Sequence, residues 1–502
     1  MRAGLEELLS RYQEHKLLST AVTHVGDAYR KAGRHERACE VYRDAIAAWP
    51  QDEHAMWSQM GLTISYASLG NNAAAQSAFA LLRSQYTGQK HISRAVCLVG
   101  DHYRKLQNHK RACELYEDVL ANWPDAEFAL WSRMGLAISR IRQRDGAAAK
   151  AAVERLRADF PQDERIPVAM CMAADEYRAV GQYEEACELY QRVVSSYPQA
   201  EHALWSQMNL AVSNIRLGRY DSAKAGADKL LADFSQDERL PLAGRTLGDE
   251  YRQKGKYAEA FELYENIVEN QPDTKEALWS QMNLALSKIG LPDDANAAEA
   301  ATDKLLADFS EHSEIAVALC WVGDAWRKAG NHAKAIEVYN RVLAEHPASE
   351  YALWSQAGVG MSYVQLDNLA EAEQAAEKLR TDFSGDPRIA TAMCMLADEY
   401  RWTAKYDRAC ELYRQIVETW PGAEHAMWAQ AGLAISKILS GDDAAAQAAV
   451  ELLAAKFSGR ERFNVAVEDI AREYRQTDQY DKAERCINIL KASCPIGPRT
   501  TA

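Results

Sequence analysis

The sequence has no apolar run long enough to cross a membrane. Its opening stretch, MRAGLEELLSRYQEHK, is amphipathic and charged, without the apolar centre of a secretion signal. It also has no excess of positive charge: 58 basic residues stand against 72 acidic ones, a net charge of −14 spread without long single-sign runs. Phosphate binding needs a basic stripe, so neither nucleic acid nor membrane insertion is expected, although a local basic patch stays open. There is no P-loop, HExxH, GxSxG or dinucleotide fingerprint. The twelve histidines are mostly isolated, no Cys/His grouping has metal spacing, and no singular polar cluster stands out. The chain therefore reads as non-catalytic, with no cofactor and no metal. CxxC is missing too, although there are ten cysteines. Cys39, Cys113, Cys187 and Cys410 share one register, and Cys97, Cys171, Cys320 and Cys394 another; Phe261, Ile336 and Arg245 occupy the same registers. A disulfide framework would not tolerate those exchanges, which points to reduced packing residues in a cytoplasmic setting.

What is present is repetition. The nonapeptide ALWSQMNLA stands at Ala203–Ala211 and again, unchanged, at Ala277–Ala285. Near copies place tryptophan at 57, 131, 205, 279, 354 and 428, in steps of 74, 74, 74, 75 and 74. A second marker, DAYR ending at Arg30, returns on the same beat as DHYR, DEYR and DAWR. The extra residue of the longer step lies beside Pro292, where intact flanking patterns put it between elements. Within each unit apolar residues recur at helical spacing, as in Val22, Val25, Tyr29, then Ala38, Val41, Tyr42 and Ala45. Breaks fall at Gly33 and Pro50, and again around Gly70. Each unit therefore reads as two helical hairpins.

The spacing Val22-x2-Val25-Gly26-x2-Tyr29, Ala38-x3-Tyr42, Pro50, followed by Trp57-x2-Met60-Gly61-x2-Ile64 and Ala75-x3-Phe79, resembles the tetratricopeptide repeat. Signature starts alternate at 35 and 39 residues, which suggests a standard hairpin alternating with a longer one. The resemblance implies an all-α, right-handed superhelical solenoid of about thirteen hairpins, spanning 1–495 as one domain with a short flexible tail at 496–502. A single hairpin cannot bury its apolar faces, so stacking must stabilise it. The repeated tryptophans are expected in that core.

The resemblance also implies that first helices line a concave groove. Carried over, it places there Asp27 and Arg30, Asp101 and Arg104, Asp175 and Arg178, Asp249 and Arg252, Asp324 and Arg327, and Asp398 and Arg401. Ser65, Ser139, Ser213, Ser287, Ser362 and Ser436 follow from the longer hairpins. Each Asp and Arg stand three apart and can pair, so the ladder either binds a ligand or neutralises itself. Its monotony suits a protein or peptide partner that is itself repetitive or present in several copies, or a second copy of the chain. Leu8 and Leu9 align with a second helix whose hairpin partner is missing, and Ile487, Ile489 and Leu490 face a neighbour the chain does not supply. The expectation is a protein-interaction scaffold, the alternative a head-to-tail filament joined through those ends.

Overall fold

The computed structural model of the protein describes residues 17–291 and 295–493, with Tyr12 and His15, and side chains as far as Ile489. Among these residues are 26 helices and no strand, from Leu18–Lys31 to Tyr480–Ser493. They form two compact units that divide between Lys254 and Gly255.

In the first unit, successive first helices begin at Ile92, Ala129, Ile166, Ala203 and Leu240, 37 residues apart each time. In the second, Ile315, Ala352 and Ile389 keep the same step. The expected alternation of a standard with a longer hairpin is therefore corrected: the hairpins keep one 37-residue step, with one extra residue in the hairpin of Lys275–Ile289 and Ala295–Asp308. The uneven sequence spacing arises because Gly100 lies two residues deeper in its helix than Gly135 does in its own. The turn inside each hairpin also keeps this beat. A left-handed residue closes the first helix at Gly33, Gly70, Gln107, Arg144, Gly181 and Gly218, then at Gly330, Asp367, Ala404, Gly441 and Asp478. Glycine takes that conformation without steric cost; Gln107, Arg144, Asp367, Ala404 and Asp478 take it with strain. The extra residue of the sequence falls between helices Lys275–Ile289 and Ala295–Asp308, as expected; Pro292 itself lies outside the described residues.

The core is built at two kinds of joint. At the first, a tyrosine from a second helix is wedged between two first helices. Tyr116 is fully buried, and a Cβ on Gly100 or Gly135 would stand 2.8 and 2.4 Å from its ring. Tyr42 lies likewise between Gly26 and Gly61, and Tyr339 between Gly323 and Gly358. The missing side chains let the helices close on the ring. The hairpins that begin with the tryptophan helices add an internal tie. Buried Gln59, Gln207, Gln281, Gln356 and Gln430 donate to main-chain carbonyls of their partner helices, at 2.7, 2.8, 2.7, 3.0 and 2.8 Å. Such amides need a partner when buried, and here they obtain one that also fixes the hairpin.

Candidate interaction surface

The Asp/Arg ladder is wired into the core. Tyr42, Tyr116, Tyr190, Tyr339 and Tyr413 donate their hydroxyls to Asp27, Asp101, Asp175, Asp324 and Asp398 at 2.7, 2.7, 2.5, 2.6 and 2.5 Å. Arg30, Arg104, Arg178, Arg327 and Arg401 approach the same carboxylates at 2.9, 3.4, 3.8, 4.0 and 3.0 Å. Burial and the neighbouring aspartate push the phenols well above their ordinary pKa, so they stay protonated and donate. In one repeat Arg245 stands in the cysteine register and reaches Asp249 at 3.2 Å, with Arg252 half-buried one turn on. The ladder is thus partly exposed and internally neutralised.

The serines are a correction. Ser65, Ser139, Ser213, Ser287, Ser362 and Ser436 are all buried and do not face a groove. Ser65, Ser213, Ser287 and Ser436 donate to the carbonyl four residues back, at 2.8, 2.7, 2.7 and 2.8 Å. They pack beside Cys39, Cys187 and Cys410 of the preceding second helices. The other cysteine register is equally covered: Cys171 lies 2.9 Å from Ser206, and burial lifts the Cys97 thiol to about 12.

The tryptophans are a second correction. Trp57, Trp131, Trp205, Trp279, Trp354 and Trp428 are half-buried, not core. With a 37-residue hairpin they share the register of Val168, Leu242 and Val317, on the outward side of the first helices. The chain that enters the next hairpin covers one ring face. Arg165, Arg388 and Arg462 lie 5.8, 5.9 and 5.6 Å from the ring centroids of Trp131, Trp354 and Trp428. Arg165 is held by Asp163 at 2.6 Å and reaches the Glu127 carbonyl at 3.3 Å. Arg239 repeats this with Asp237 and Glu201. This clip forms the second kind of joint. One helical turn on, Met172, Trp321 and Met395 are 38, 46 and 38 % exposed, and Leu242 is 39 % exposed. The Trp279 and Trp321 rings meet with centroids 5.7 Å apart, tilted by 47°. Each unit therefore exposes large apolar side chains on some of its first helices, near its Asp–Arg–Tyr triads. Sequence reasoning missed these side chains, because the signature alignment put the tryptophans two residues out of register.

Of the end residues, Ile487 and Ile489 are half-buried against the last hydrophobic cluster. Leu8, Leu9 and the Leu490 side chain lie outside the described residues. Among the described residues no group of His, Cys, Asp and Glu could hold a metal ion, and no helix is long and apolar enough to cross a membrane.

Sequence profiles described as tetratricopeptide repeat match residues 21–53, 245–301 and 293–350, and the Psidin N-terminal TPR repeats region matches 101–240. The chain belongs to the tetratricopeptide repeat family. Its all-α repeat fold is that of the family. No curated protein matches the TPR chain. Among solved structures it is similar to yeast Tom70, at 13 % identity over 96 % of this chain and 92 % of that one, TM-score 0.33. PilW, a type IV pilus biogenesis factor, is 19 % identical over 45 % of this chain and 97 % of its own, TM-score 0.29. The apo form of RapI is 14 % identical over 66 % and 98 %, TM-score 0.34.

Proposed function

We propose that this TPR protein is a non-catalytic scaffold that docks protein segments along its first-helix face, with repetitive partners or several copies of one partner as its ligands. The accessible apolar side chains carry this reading: Met172 and Leu242 in the first unit, Trp321 and Met395 in the second. Large apolar side chains repeated on one face favour contact with a partner, and the neutralised triads beside them give that face low net charge. Nine buried free cysteines fit a reducing compartment such as the cytoplasm.

The test is in-cell photo-crosslinking from position 172 and from position 395, followed by Met172→Glu with Leu242→Glu, and Trp321→Glu with Met395→Glu. The scaffold reading expects discrete crosslinked proteins that vanish in these variants while helicity is unchanged. Crosslinks that persist in both double variants would overturn it. The second reading, a head-to-tail filament, rests on the apolar character of Leu8, Leu9, Ile487, Ile489 and Leu490. Light scattering across a concentration series separates the two, since only a filament grows with concentration.

A further inference from the structure

A pocket of about 250 Å³ opens between second helices Gly146–Asp159 and Tyr183–Ser196, with Tyr177 of the intervening first helix in its lining. Its counterpart, three repeats on, is a pocket of about 200 Å³ at Tyr400. A third, of about 150 Å³, opens at Tyr474, where Lys482 and Arg485 stand in place of Glu185 and Glu188. In two other repeats the same place is filled. Phe79 stands in the register of Val153 near Tyr103, with Arg111 5.4 Å over its ring. Trp326 replaces the tyrosine and donates its indole N–H to Thr302 at 3.1 Å.

One register on the second helices explains what the open pocket lacks. It holds Arg37, Arg111, Lys334 and Arg408, and each of these cations pairs with the glutamate three residues on, at 2.5, 2.5, 3.0 and 3.1 Å. In the Tyr177 pocket that register is Glu185, as it is Glu259 in the following repeat, so Glu188 does not have the cation that Glu40, Glu114, Glu337 and Glu411 have three residues before them. Two further acceptors lie there. The side-chain oxygen of Gln182 is buried without a hydrogen-bond partner. Tyr177 is only 3 % exposed, and its hydroxyl has no partner among the described residues. Glu184, also on the rim, already holds Arg219 at 3.4 Å. Lys150 and Arg192 border the pocket, leaving Glu154, Glu185 and Glu188 in excess over them. Burial, and after it Glu185 and Glu188, raise the Tyr177 phenol to about 12, so it stays protonated.

We propose that the Tyr177 pocket binds an arginine side chain of a protein partner, its guanidinium pairing with Glu188 as Arg408 pairs with Glu411. Val153 and Leu189 line the pocket for the aliphatic stem. A guanidinium brings five donors and no acceptor, the complement of a pocket rich in unfilled acceptors. This surface is made by second helices, so its fate is independent of the apolar side chains on the first helices.

Isothermal titration of the full chain at low ionic strength tests it, with the blocked tripeptide Gly-Arg-Gly against its citrulline and lysine analogues and free arginine. One arginine-peptide site is expected, with at least tenfold weaker binding of the citrulline peptide and weaker binding of the lysine peptide and of free arginine. Glu185→Arg should give Glu188 a cation from within the chain and abolish binding with helicity intact. Arg408→Glu should create a second site at Tyr400. Equal binding of the citrulline peptide, tighter binding of free arginine than of the blocked peptide, or binding unchanged by Glu185→Arg would overturn the proposal.

Discussion

Replacing Tyr116 by phenylalanine removes one oxygen and nothing else. The ring stays wedged between Gly100 and Gly135, so packing is preserved. What is lost is a 2.7 Å hydrogen bond to Asp101 and a weaker 3.4 Å contact from Arg104. A hydrogen bond to a charged group contributes about 1.5–3 kcal/mol. The Asp101 side chain is 31 % exposed, so water replaces part of the bond and the lower half of that range, roughly 1.5–2 kcal/mol, is expected. Asp101→Ala should cost more, about 2–3 kcal/mol, because it strands a buried hydroxyl and unpairs Arg104. The double variant should cost clearly less than the sum of the two. Global melting averages over a repeat array, so the readout is amide exchange in helices Ile92–Lys105 and His109–Asn122. At about 1.4 kcal/mol per tenfold, Tyr116→Phe should speed that exchange roughly ten- to thirtyfold, and leave helices several hairpins away untouched. Acceleration below threefold, or single costs that simply add, would show that the triad does not tie the hairpin together.

Ala404→Gly should stabilise its hairpin by about 0.5–1 kcal/mol, since alanine is held there at φ 60°; amide exchange in helix Ile389–Trp402 reads the gain. Trp131→Ala should cost roughly 2 kcal/mol, about half of a full core aromatic, because the ring is half-buried under Arg165; a loss above 4 kcal/mol in local exchange would contradict that placement. Hydrogen bonding to the Arg239 side chain and main-chain N–H holds the Asp237 carboxyl below the ordinary aspartate range. Its contribution is therefore complete above about pH 4 and disappears as pH falls through the lowered folded value. Wild type and Asp237→Asn should differ in urea stability at pH 7 and converge in acid once the carboxyl is protonated in both states, and a difference of unchanged size across the whole acid limb would argue against the clip.

The repeat beat was legible from ALWSQMNLA alone, and so were helical hairpins, because identical copies can only be identical elements. The same signal misplaced the serines and tryptophans. Gly26 and Gly61 look equivalent as signature residues, yet Gly26 lies 7 residues before its left-handed turn residue Gly33 and Gly61 lies 9 before Gly70, in hairpins of the same 37-residue step. That two-residue offset turns Trp57 outward and Ser65 inward. The left-handed turn residues report the true period, but Gln107, Arg144 and Asp478 are not glycine and hide it. The Tyr–Asp bond was also invisible, because it joins residues 15 apart across a turn, and only packing shows which tyrosine faces which carboxylate. The Asp–Arg spacing was legible, since it lies along one helix.

Two joints alternate: a tyrosine wedged between two first helices, then the chain entering the next hairpin laid over a tryptophan. A hairpin taken out singly would bring a tyrosine-type edge against a tryptophan-type edge, with neither a matching cavity nor a matching lid. A pair taken out together restores the phase. The molecule can therefore be lengthened or shortened only by even numbers of hairpins, like a strip of two-tone tiles. Splices after Pro50 and Pro124, one whole pair apart, mark where such a cut would rejoin cleanly.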